Sequence, residues 1–155
     1  MNPTMMMTQM EKMNKQIGGT HYSQFKYQPV HLMAIFGFNW FEGEILKYVS
    51  RYPYKNGLQD LKKAISVLDI YESLYPKPSN SNYPWLNDPS IFGIDLPRSN
   101  YLIRRAYVLQ FSPNHGISVD ICIKSLLSGN YRILRNTLEH LIESYDETED
   151  PTNRR

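Results

Sequence analysis

The sequence predicts a mainly α protein: a small helical bundle with a helical hairpin core at residues 30–75, a C-terminal helical half, and assembly into an oligomer. Three observations predict it. Apolar residues recur every three or four positions through residues 41–75 and 131–145. An asparagine precedes two apolar runs with a glutamate or glutamine three residues later, Asn39 with Glu42 and Asn56 with Gln59, which is the pattern of a helix start. Hydrophobic residues make up 41% of the 155 and aromatic residues 13%, enough for a packed core and too many for a disordered chain.

Taken in order, residues 1–16 read as a flexible lead, rich in methionine. Gly18-Gly19-Thr20-His21-Tyr22 follows, a loop whose two glycines let the backbone approach a ligand. Pro29 opens a short helix to residue 36. A second helix starts at the Asn39 cap, carries Phe41, Ile45, Tyr48, Val49 and Tyr52 at helical spacing, and ends before Pro53. The third helix, residues 57–75, has one apolar stripe of Leu58, Leu61, Ile65, Leu68 and Tyr75 and another of Val67, Ile70 and Leu74. Two stripes call for two partners, the second being either the C-terminal half or another subunit. The chain is then Pro-, Ser- and Asn-rich, a linker over 77–100. Three more helices are expected at 101–111, 119–127 and 131–145. For the middle one, alternation of Ile117, Val119, Ile121 and Ile123 also fits a short strand. Residues 147–155 read as a flexible tail. The domains are therefore a lead (1–16), a ligand-binding helical unit (17–76), a linker (77–100), a helical region (101–146) and a tail. Ile45-Leu46-Lys47 and Cys122-Ile123-Lys124 echo each other ahead of a turn and a helix, as a duplicated hairpin or as chance.

The net charge of +2 does not suit a nucleic-acid binder, so any anion site is local. The single cysteine, Cys122, excludes a disulfide framework within the chain. No apolar run has the length of a membrane span, and the start lacks the pattern of a signal peptide, so cytoplasm is the expected compartment.

Candidate site residues gather around the second and third helices. Lys47 and Arg51, four apart, share a helix face with Glu44, and Lys55, Lys62 and Lys63 follow. Lysines in the first turns of a helix oppose its dipole, and that local cost suggests an anion, for which the helix N-terminus near Gly57 offers further N–H donors. The competing reading is a solvated face with Glu44–Lys47 and Asp60–Lys63 pairs. His21 is a phosphate donor, an acid or base, or a plain loop donor. Tyr22, Tyr48, Tyr52 and Tyr54 can stack on a base or pack in the core, with Tyr48 the better candidate for packing. Asp60 and Glu42 can help hold a magnesium ion, although each already suits a first helical turn. There is no P-loop, no H-E-x-x-H and no EF-hand spacing.

Gly18-Gly19-Thr20-His21-Tyr22, Gln28-Pro29, Glu42-Gly43, Lys47-Tyr48, Arg51-Tyr52, Lys55, Asp60-Leu61 and Lys63-Ala64, in that order, resemble the SaV-like family of small bacteriophage proteins. Its members include a deoxynucleoside monophosphate kinase without a P-loop. The resemblance covers residues 17–75. It implies a phage protein of the host cytoplasm that binds a nucleotide through Gly18, Gly19, Thr20, His21, Tyr22, Gln28, Lys47, Tyr48, Arg51, Lys55 and Lys63, to which Tyr54 is added as a candidate stacking ring. Magnesium is implied as cofactor if the activity is that of a kinase, while the two-striped third helix argues against a monomer and for a homo-oligomer. Neither membrane nor nucleic acid is an expected partner. The alternative is a sponge without catalysis that sequesters cyclic dinucleotide immune signals and so evades host defence. His31 and Glu44 depart from the pattern, standing where an acid and an asparagine are usual.

Overall fold

The computed structural model describes residues 26–75 and 98–154. Among these are six helices and no strand: α1 (Pro29–Phe36), α2 (Trp40–Arg51), α3 (Leu58–Leu74), α4 (Arg98–Val108), α5 (Pro113–Ser128) and α6 (Tyr131–Glu143). The chain is mainly helical, as its periodicity predicts. The lead at 1–16, the Gly18–Tyr22 loop and most of the 77–100 linker lie outside the described residues.

Local chemistry sets most helix ends. Pro29 opens α1, where its missing N–H is one of those a first turn leaves unbonded anyway. Gly37 closes α1 in the left-handed region at φ 68°. At the start of α2 the Asn39 side chain accepts the Glu42 N–H at 2.9 Å, and Glu42 accepts the Asn39 N–H at 3.1 Å. That reciprocal cap is the one the sequence predicts.

The start of α3 is different. Asn56 and Gln59 form no capping box. Gly57 is the cap, at φ 53°, with no side chain to offer. The Tyr145 hydroxyl and the Asp150 carboxylate lie over it so closely that a Cβ at Gly57 would collide with both. Each also has the Leu58 backbone N–H as a partner. The residues expected to form a flexible tail therefore do structural work. Residues 147–149 and 151–154 form two 3-10 turns. Asp146 and Asp150 each accept the N–H (2.9 Å) and hydroxyl (2.6 Å) of the threonine two residues on, and Pro151 is buried.

Two further expectations are corrected. The strand alternative for residues 117–123 fails because Val119, Cys122, Ile123 and Leu126 are buried at helical spacing on α5, while Ile117 faces water. α4 begins at Arg98, inside the stretch read as linker, and ends at Val108 rather than 111.

α2 packs on α1 and α3, and α5 packs on α4 and α6. Across the molecule α1 meets α4, α2 meets α5 and α3 meets α6, so the two sets of three helices pair off in order. The echoing segments fall on α2 and α5, and Ile45, Leu46, Cys122 and Ile123 are all in the core between them. Each such aliphatic side chain contributes about 1.5–3 kcal/mol by leaving water. α3 packs on α6 of the C-terminal half as well as on α2, while Ile70 and Leu74 of its second stripe stay exposed. Polar bonds also join the halves. Ser50 and Tyr107 share a buried hydroxyl–hydroxyl bond of 2.6 Å, and His115 Nε2 lies 2.9 Å from the Ser50 carbonyl, near the end of α2 where helix carbonyls lose their own partners. No helix among the described residues is long and apolar enough to cross a membrane.

Candidate functional site

Three cations converge on one ring. Lys47 Nζ, Arg51 Cζ and Lys63 Nζ lie 4.7, 5.0 and 5.9 Å from the centre of Tyr48. Lys47 and Arg51 come from α2 and Lys63 from α3. A tyrosine face attracts cations through its ring quadrupole, so Tyr48 organises charges that would otherwise repel one another. Tyr48 also packs against the core, so the reading of it as core packing holds in part. Burial and the nearby Glu44 push its hydroxyl above the ordinary value.

Two carboxylates partly balance these cations. Lys47 Nζ donates to both oxygens of Glu44, at 2.8 and 2.7 Å. Arg51 donates through Nε and Nη2 to the two oxygens of Asp60, at 3.1 and 3.2 Å. The expected Glu44–Lys47 pair is present, whereas Asp60 takes Arg51 instead of Lys63. Asp60 is 0% exposed, and Asn56 Nδ2 also approaches it at 3.4 Å. The Arg51–Asp60 pair therefore ties α2 to α3, and its carboxylate is committed to the fold. Glu42 is committed too, to the α2 cap and to the Tyr131 hydroxyl at 3.4 Å.

Other expected site residues lie elsewhere. Tyr54 turns to the second half, its ring stacked on Phe111 and edge-on to His115, instead of joining Tyr48. Lys55 lies in the turn after α2, its N–H bonded to the Arg51 carbonyl. Gln28 is buried at the start of α1, beside Tyr27, whose N–H and carbonyl are both bonded by Gln110. The N-terminus of α3, expected to receive an external anion, is filled by the chain's own Asp150. That carboxyl is held below the usual range, first by the Thr152 hydroxyl and N–H and then by Leu58. Burial and Asp150 push the Tyr145 hydroxyl up to about 12. Gly18, Gly19, Thr20, His21 and Tyr22 are outside the described residues.

His31, where the resemblance leads one to expect an acid, has a structural role. Its Nδ1 accepts the Gln28 N–H at 2.9 Å, the bond that an acid at the third position of a helix would make. The change concerns how α1 begins.

An aromatic cluster at the other end of α2 was missed. Phe41 stacks on Tyr71 at 5.0 Å, with Trp40, Tyr75 and Tyr131 edge-on or tilted around that pair. A signal for it was present. Trp40, Glu44, Lys47 and Arg51 follow a four-three-four spacing that puts the tryptophan in line with the cations.

In comparison with known proteins, residues 17–69 match a family of proteins of unknown function, DUF3310. The match spans about a third of the chain and contains every candidate residue from Gly18 to Lys63. No curated protein and no solved structure matches.

Proposed function

We propose that the chain binds nucleotides, with the phosphates held by the cations around Tyr48. The observation that carries this reading is the convergence of Lys47, Arg51 and Lys63 on a single ring. Among the described residues three cations face two carboxylates there, which leaves an excess of positive charge for an anion. Lys47 and Lys63 stand on different helices, so one phosphate spans the hairpin and takes ammonium donors from both sides. Arg51, bound to Asp60, fixes the helices in register and adds its field.

The family resemblance adds a phage origin, the host cytoplasm and phosphoryl transfer between nucleotides to this reading, and the exposed Ile70 and Leu74 of α3 add self-association. In a kinase the lysines would neutralise the charge spread over the transferred group, with magnesium assisting. A second reading, retention of an intact nucleotide signal such as a cyclic dinucleotide to blunt host defence, is favoured by one observation. Glu42 and Asp60, the acids the sequence offers for magnesium, are already engaged in the cap and the Arg51 pair.

Calorimetric titration of the full chain with nucleoside mono-, di- and triphosphates and a cyclic dinucleotide tests the proposal. Lys47→Ala and Lys63→Ala should each weaken binding about tenfold or more, as expected for a lost charged hydrogen bond. Diphosphate formed from a monophosphate, a triphosphate and magnesium identifies the kinase, and ligand recovered intact identifies the sponge. Absence of binding by any nucleotide sinks both.

A further inference from the structure

We infer that the aromatic end of the same helix face holds the base and sugar of the nucleotide, an inference that rests on phosphates being bound at Lys47 and Lys63. Trp40, Glu44, Lys47 and Arg51 lie on one face of α2. At about 1.5 Å rise per residue, Trp40 is roughly 10 Å along the axis from Lys47. A free phosphate held at Lys47 does not reach it, whereas a nucleoside phosphate does. Trp40 is 59% exposed and Tyr75 is 62% exposed, beside the stacked Phe41 and Tyr71 rings. Aromatic surfaces of this kind are where bases stack.

Glu44 lies between the two ends, one turn from Trp40. Its carboxylate, already taking the Lys47 ammonium, is an acceptor at the height of the sugar hydroxyls. The polar groups at the inner rings, Tyr71 and Tyr131, are engaged within the protein. Asn39 Nδ2 donates to the Tyr71 hydroxyl at 3.0 Å, and the Tyr131 hydroxyl reaches both Tyr71 and Glu42. Recognition of the base therefore runs through stacking. The site prefers purines to pyrimidines by ring area and does not distinguish adenine from guanine.

The test uses the full chain carrying Trp85→Phe, so that Trp40 is the remaining tryptophan. ATP, GTP, CTP and inorganic triphosphate are titrated while emission is followed, with calorimetry in parallel. ATP and GTP should quench Trp40 and bind at least about fivefold more tightly than inorganic triphosphate, the low end of what one stacked base contributes. Trp40→Ala should bring ATP down to the level of inorganic triphosphate, and Trp40→Phe should restore most of the difference. Thermal denaturation verifies that both variants are folded, as expected at an exposed position. Equal binding of ATP and inorganic triphosphate, or an unchanged difference in Trp40→Ala, overturns the base subsite while leaving the phosphate site in place. If inorganic triphosphate and every nucleotide fail to bind, the phosphate site falls as well.

Discussion

A carboxylate withdrawn from water costs several kcal/mol unless a cation meets it in good geometry. Asp60 is met by both Nε and Nη2 of Arg51, the two-pronged arrangement that a lysine cannot reproduce. Arg51→Met leaves that carboxylate buried without its counter-charge, and should lower stability by about 3–5 kcal/mol. Replacing both partners, Arg51→Met with Asp60→Leu, should recover most of the loss, because an apolar pair of similar volume needs no compensation. Urea denaturation distinguishes the outcomes. If the double variant is no more stable than the single one, the pair contributes more than charge compensation. The same bond shows what sequence spacing hides. Asp60 and Lys63 lie three apart on one helix and suggest a local pair, but a carboxylate facing inward takes the cation that reaches it across the turn.

At the scale of the element, the starts of α2 and α3 differ in how far they could be read. Asn39 and Glu42 lie within one turn of each other, so the sequence contains the whole cap. Asn56 and Gln59 imitate that pattern, yet α3 is capped by Tyr145 and Asp150, which are remote from it in sequence. Gly57 makes this possible through its positive φ and its missing Cβ. Gly57→Ala should cost about 1–3 kcal/mol for a backbone at φ 53° and ψ −130° that is nearly reserved for glycine, and more for displacing Tyr145 and Asp150. Gly37→Ala is the milder comparison, since Gly37 is in the true left-handed region at φ 68° and ψ 32° with open space around it, whereas Gly57 has ψ −130°. Thermal denaturation should therefore show the larger loss for Gly57→Ala, and equal losses would mean that neither its backbone region nor the clamp carries a penalty. The ends of α5 and its strand-like alternation were ambiguous for another reason. A period of two and a period of 3.6 share positions over a short run, and only burial of Cys122 and Leu126 decides between them.

At the scale of the whole molecule, the helical class and the hairpin were legible because they follow from periodicity, which is local. The pairing of the two halves was not, apart from the faint echo of Ile45-Leu46-Lys47 in Cys122-Ile123-Lys124. His115 is one of the joints between them, bonded to the Ser50 carbonyl and enclosed by the rings of Tyr52, Tyr54 and Phe111. Burial holds its pKa below the ordinary 6.5, with the Ser50 bond pulling weakly the other way. Below that pH the unfolded chain takes up a proton that the folded chain resists. Stability is therefore complete above it and declines as the pH falls through it. Urea midpoints should be lower at about pH 5.5 than at about pH 7.5, and His115→Gln, which keeps an N–H for Ser50, should flatten the difference. An unchanged difference in that variant would assign the acid sensitivity to other groups.

The clamp over Gly57 also gives the chain an order of assembly. A ribosome makes Gly57 and Leu58 well before it reaches Tyr145 and Asp150, so the start of the longest helix in the described chain is left open to water until those codons are translated. A stop codon placed just ahead of residue 145 would thus be felt at residue 58, within the hairpin that carries the cations.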